Sequence, residues 1–158
     1  MTTRSLLAPI LGLTLVACAG RGDAPLAPTG PVEPASAAEA AVLGGVTLTL
    51  GTYLWRDFMP PSPPEGRPLA ARLVVRSWDG SSLPSGLVMT TVSVYYQGQT
   101  WLSSPVPDPS PDPTMYVARS SGGPLWGPDV TVNVSVTLVL GRQRIMLSAK
   151  NQYIHQTI

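Results

Sequence analysis

Residues that could support catalysis are few in this chain. The 158 residues include one histidine, His155, and one cysteine, Cys18. A hydrolytic triad would need His155 beside a nucleophilic serine and a carboxylate, and no serine lies in a G-x-S-x-G pattern. A single histidine without a second histidine or a cysteine nearby does not make a transition-metal site. We therefore predict no catalytic residue, no metal and no cofactor.

The acidic residues do not change this prediction. Asp108 and Asp112 share a loop, but the frame of glycine and aspartate that a calcium loop needs is missing around them. A glycosidase pair of carboxylates stays open as an alternative, although nothing in the spacing selects two members. The carboxylates available for it are Asp57, Glu65, Asp79 and Asp129. The sequence thus predicts a protein that is not an enzyme.

Cys18 follows a short apolar segment with the pattern of a secretory signal. Arg4 and the amino terminus supply positive charge, and the stretch Ser5–Ala17 is largely apolar. An apolar run of about 12 residues suits a signal peptide, whereas a membrane-spanning helix needs about 20. Residues 1–17 are therefore predicted to be a signal peptide, with the small residue Ala17 at the cleavage point.

The four residues Leu15-Val16-Ala17-Cys18 resemble the lipobox of bacterial lipoproteins. The resemblance implies that Cys18 receives a diacylglyceryl thioether, becomes the new amino terminus and is then acylated with a chain such as palmitate. Two or more acyl chains give stable membrane anchoring. The alternative is an ordinary secretory signal in which Cys18 is incidental. In the enterobacterial sorting rule, aspartate directly after the lipidated cysteine retains a lipoprotein in the inner membrane. Ala19 stands at that position, so the resemblance implies passage to the outer membrane of a Gram-negative cell, where the protein would face the periplasm or the surface.

The composition argues against a nucleic-acid partner. Loss of Arg4 with the signal peptide leaves nine basic residues against nine acidic ones, so the mature chain has no basic excess. Charged residues make up only 12% of the chain, about half the usual share. The expected partners are a membrane, through the lipid on Cys18, and a protein of the envelope, with a glycan as an alternative.

The mature chain divides into a tether, residues 18–41, and a folded domain, residues 42–158. The tether contains prolines at a three-residue spacing among alanine and glycine, a composition that favours an extended polyproline chain and buries no core. These prolines are Pro25, Pro28, Pro31 and Pro34.

The domain has the two-residue periodicity of β-strands. The clearest run is Val130–Leu140, in which apolar residues at even positions alternate with mostly polar ones. About seven or eight such strands, separated by turn signals, predict a single antiparallel Ig-like β-sandwich. The pattern resembles that of cysteine-free bacterial Ig-like or fibronectin-type modules. A transthyretin-like sandwich is an alternative topology.

Tryptophans near the predicted loops are the candidate binding residues. If each connection reverses the chain, Trp55, Trp101 and Trp126 lie towards one end of the sandwich, where they would form an aromatic surface. The alternative is that Trp55, Trp78 and Trp101 fill the core. We therefore predict a non-catalytic module that binds a protein partner. The alternatives are a carbohydrate- or peptidoglycan-binding module and an accessory lipoprotein of a secretion or assembly machine.

Overall fold

The computed structural model describes residues 37–158, and every regular element in that range is a β-strand. The nine strands are β1 (Ala40–Leu43), β2 (Val46–Asp57), β3 (Ala70–Ser77), β4 (Val88–Tyr96), β5 (Gln99–Ser103), β6 (Val106–Asp108), β7 (Met115–Ser120), β8 (Thr131–Leu140) and β9 (Gln143–Thr157). The prediction of an all-β domain is confirmed. The predicted signal peptide and Cys18 lie outside the described residues, as does most of the tether.

The strands form one curled sheet of mixed type. Their order is β5-β4-β8-β9-β2-β3-β7-β6, with β1 beside β2. Only Ser104 and Pro105 separate β5 from β6 in the sequence, so the two ends of the sheet lie near each other. Because the strands make a continuous sheet, the finer assignment to an Ig-like sandwich stays a prediction.

Strand β9 gives the sheet its mixed character. It runs antiparallel to β8 as far as Tyr153 and then pairs with β2 in parallel from Ile154 onward. Lys150-Asn151 has the composition of a turn, but the structure has a bulge there within one strand. Asn151 adopts a left-handed backbone with φ of 54°, and its N–H donates to Oδ1 of Asn133 at 2.9 Å. The Asn133 side chain thus replaces the backbone carbonyl that would accept this hydrogen bond in a regular pair of strands, so β9 continues through the bulge.

The folded part begins before the predicted boundary at Val42. The Ser148 N–H donates to the carbonyl of Ala38, and the Ser148 hydroxyl donates to the carbonyl of Ala37, both at 2.8 Å. Strand β1 then starts at Ala40 and pairs with β2. These contacts make Ala37 and Ala38 part of the folded domain.

The core lies against the face of β8 that the sequence predicted to be apolar. Val132, Val134, Val136 and Leu138 are each at most 2% exposed, and they belong to one cluster with residues from the other half of the sheet. Burial of each such side chain stabilises the fold by about 1.5–3 kcal/mol. The alternating pattern therefore decides which face of the sheet turns inward.

Candidate functional site

Several connections of the domain meet at one end, which we call the tip. The tip consists of the connections 58–69, 97–98 and 121–130, together with the bulge of β9 at 150–151. Arg56 is hydrogen-bonded to the first and third of these segments, and Trp126 of the third is hydrogen-bonded to Gln99, next to the second. The three loops expected at one end from alternating strand direction therefore lie together, whereas Lys150-Asn151, also expected there as a turn, is a bulge within β9.

Arg56 is the residue that holds the tip together. It is 4% exposed, because it is in phase with the buried Leu54 on the inward face of β2. Its guanidinium donates only to backbone carbonyl oxygens, those of Glu65, Arg67, Leu125 and Gly127. Burial lowers the pKa of Arg56, yet an arginine side chain stays protonated in proteins. One buried cation thus ties two proline-rich loops to the end of β2.

Arg56 also lies over an aromatic ring. Its guanidinium carbon is 5.1 Å from the centre of the Phe58 ring, a cation–π contact. Gly66, in turn, packs so closely on that ring that a Cβ there would come within 2.6 Å of it. Arg56 was not predicted from the sequence as a functional residue. It could have been recognised as a charged residue at an inward-facing position of a strand.

Of the predicted binding residues, Trp126 belongs to the tip, and Trp101 lies near it on β5 in a different environment. The half-buried Trp126 donates from its indole Nε1–H to Oε1 of Gln99 at 3.1 Å, and its ring centre is 5.5 Å from that of Tyr96. Trp101 is only 9% exposed and belongs to the core, with Gly123 packed on its ring. Trp101 thus follows the core alternative and does not present its ring for stacking.

Trp55 belongs to a group of four rings on the outer face of β2 and β9, which we call the aromatic face. Its members are Tyr53, Trp55, Tyr153 and His155. The ring of Tyr53 stacks on those of Trp55 and His155, with centres 5.5 and 4.8 Å apart. Tyr153 meets His155 edge-on at 5.0 Å. The parallel pairing of Trp55 with His155 brings these rings together.

The aromatic face is fixed at one side by a hydrogen bond to the tip. The hydroxyl of Tyr153 donates to Oδ1 of Asp129, and this bond raises the pKa of Tyr153. Asp129 has a left-handed backbone with φ of 65°, and its N–H donates to the carbonyl of Ile154 at 3.0 Å. The ring of Tyr153 is therefore held at both its edge and its hydroxyl.

A cavity of about 270 Å³ opens beside Trp55. Asp57 and Arg67 contribute opposite charges to its wall, with Arg67 Nε 3.6 Å from Asp57 Oδ2. The remaining wall is formed by Pro68, Ala70 and the backbone region around Gly122. The cavity is therefore lined by the Trp55 ring, by neutral residues and by a solvent-exposed ion pair. A recess of this size and lining could receive one side chain of a partner.

Trp78 lies apart from these rings and is 74% exposed. The core alternative does not hold for it. It follows directly after β3, and its backbone N–H still donates to the carbonyl of Thr47 at 2.9 Å. Because the strand ends at Ser77, its side chain extends beyond the sheet into solvent.

Three of the carboxylates considered for chemistry, Asp79, Asp108 and Asp112, are engaged locally. Asp108 pairs with Arg119 at 2.6 Å, and Asp112 accepts hydrogen bonds from the backbone and hydroxyl of Thr114, which lower the pKa of Asp112. Asp79 accepts from Ser77 and holds a turn. Within residues 37–158, no group of three or more histidine, cysteine or acidic side chains could hold a metal ion.

Comparison with known proteins adds no relative. No protein family, curated protein or solved structure matches the chain. Across the part of the chain that the structure describes, no helix has the length and apolar character needed to cross a membrane.

Proposed function

We propose that this chain is a lipoprotein of the bacterial cell envelope whose folded domain binds a protein partner without catalysing a reaction. Lipid on Cys18 would hold the chain in a membrane, and Ala19 favours the outer one. The aromatic face with its adjoining cavity is the observation that carries the binding role.

The residue types of the aromatic face support a protein partner. Tyrosine, tryptophan and arginine dominate the binding energy of protein interfaces, and the two aromatic residues bury large areas with only two side-chain torsions to fix. Tyr53 and Tyr153 are 45% and 43% exposed, so each ring has area left to bury. Arg72, the cross-strand neighbour of Tyr53, is also exposed on this face. Since the rings already stack on one another, little conformational entropy would be lost on binding.

A non-catalytic role is supported by the local contacts of His155 and Asp57. His155 lies between Tyr53 and Tyr153, where its ring packs on their rings. Asp57 pairs with Arg67 and also accepts a hydrogen bond from the backbone of Met59 at 2.9 Å. These contacts position side chains in loops and sheets and do not aim two titratable groups at a common point.

The tether would set the distance at which the domain acts. Roughly 20 residues separate Cys18 from Ala37, and an extended polyproline chain rises about 3.1 Å per residue. Such a tether would let the domain reach tens of ångströms from the membrane. A partner in the same envelope compartment would then be within range of the aromatic face.

Site-specific photocrosslinking in living cells tests the binding role. With p-benzoylphenylalanine in place of Tyr53, we expect one discrete protein adduct, which mass spectrometry would identify. The matched control is the same probe at Val88, which is 47% exposed and lies on β4 at the end away from the tip. Equal adducts at both positions, or no adduct at Tyr53, would contradict the proposal.

A further inference from the structure

A second recess, which we call the tip groove, lies where β4, β5 and β8 reach the tip. It has a volume of about 270 Å³. All the side chains that line it are neutral, and most carry an amide or a hydroxyl group. Those that matter for recognition are Tyr95, Gln97, Gln99, Thr131, Asn133 and Asn151.

Hydrogen bonds within the domain orient two of these amides. Oδ1 of Asn133 accepts from the backbone of Asn151 at 2.9 Å, and Oε1 of Gln99 accepts from Trp126 at 3.1 Å. Each amide therefore keeps its NH₂ group for a ligand. The hydroxyl of Tyr95 lies 3.3 Å from that of Ser135, which places the tyrosine ring along the groove.

The backbone is strained at two residues of the groove. Gln97 and Asn151 have φ of 47° and 54°, and they are two of the three residues other than glycine with positive φ in the described range. The Gln97-Gly98 turn joins β4 to β5 with positive φ at both positions, as in a type I′ turn, where asparagine or glycine is preferred at the first position. Glutamine at this position destabilises the turn, and its side chain extends an amide group further into the groove than asparagine would. Strained residues of this kind concentrate at binding sites.

We propose that the tip groove binds a neutral saccharide unit. A sugar hydroxyl both donates and accepts, which matches amide groups, and a tyrosine ring can pack on the apolar face of a pyranose. Phosphorylated or acidic ligands are disfavoured, because no lysine or arginine lines the groove. The tip groove adjoins the aromatic face, because Thr131 in its wall and Tyr153 are paired on the same side of the sheet, but no residue of the aromatic face lines the groove.

Isothermal titration of the detergent-purified mature protein tests this site. The probes are maltotriose, which is neutral, chitotriose, which is neutral and N-acetylated, and trigalacturonate, which is acidic. We expect heat of binding with at least one neutral trimer and none with trigalacturonate. A preference for chitotriose would assign the N-acetylated backbone of peptidoglycan as the source, and a preference for maltotriose another envelope polysaccharide.

Two variants locate the binding in the groove. Gln97→Gly should raise the thermal unfolding midpoint, because glycine adopts the positive φ of this turn without strain. The same variant should weaken saccharide binding about tenfold, because it removes the amide of Gln97. Asn133→Asp keeps the acceptor for the Asn151 N–H and removes the NH₂ donor, so it should weaken binding by a similar factor. Tyr53→Ala, on the aromatic face, should change the affinity less than about twofold.

The proposal is overturned by any of three results. These are no heat from either neutral trimer at millimolar concentration, equal binding of trigalacturonate, or unchanged affinity in both groove variants. None of them bears on crosslinking at Tyr53, so this site can fail independently of the protein-binding role.

Discussion

Replacing Arg56 with methionine should lower the free energy of unfolding by about 3 kcal/mol or more. The change leaves the carbonyl oxygens of Glu65, Arg67, Leu125 and Gly127 without their shared donor. A buried group that loses its partner costs about 1–3 kcal/mol, and part of the loss is recovered where water reaches the loops. Urea unfolding followed by circular dichroism measures the effect.

Two further variants make the Arg56 result specific. Arg72→Met is the same chemical change at an exposed position of β3, and it should shift stability by less than about 0.5 kcal/mol. Arg56→Lys keeps the charge but loses the planar fork that reaches several carbonyls, so its loss should be intermediate. If Arg56→Met and Arg72→Met unfold at the same urea concentration, Arg56 does not hold the tip.

Trp55→Ala should weaken binding of the crosslinked partner about 30-fold or more, which corresponds to about 2 kcal/mol. The change removes the ring that supports Tyr53 and forms one wall of the adjoining cavity. The measurement is surface plasmon resonance with the purified partner, on variants first shown to be folded by circular dichroism.

Trp78→Ala is the matched control for that experiment. It removes the same side chain from a position that is 74% exposed and outside the aromatic face. The affinity of the Trp78→Ala variant for the partner should stay within about twofold of that of the wild type. An equal loss in both variants would mean that the partner does not recognise the aromatic face.

A strand and its inward face could be predicted from the sequence wherever only one face of that strand is buried. Val132, Val134 and Val136 alternate with polar residues in β8, and a two-residue period allows only one face to turn inward. Strand β9 was harder, because Lys150-Asn151 has the composition of a turn and acts as a bulge only when Asn133 satisfies its backbone. That contact joins residues distant in sequence, which a local pattern does not contain.

The site could be predicted only in part. The clustering of three loops followed from alternating strand direction, which also placed Trp126 at that end. The aromatic face depends on the parallel pairing of Trp55 with His155, which are far apart in the sequence, so a local sequence pattern does not predict it. The burial of Trp101 likewise depends on Gly123, a residue of another loop. Arg56 was missed because its partners are backbone carbonyls, which are the same at every position of a sequence.

We propose that the domain acts while lipid on Cys18 holds it at a membrane. The most direct test is the intact mass of the protein extracted from membranes, for the wild type and for Cys18→Ser. We predict that the wild type begins at Cys18 and exceeds the unmodified chain by the mass of its lipid. The Cys18→Ser variant should lack that lipid. An unmodified wild-type chain in the soluble fraction would contradict the account and make the domain a freely secreted module.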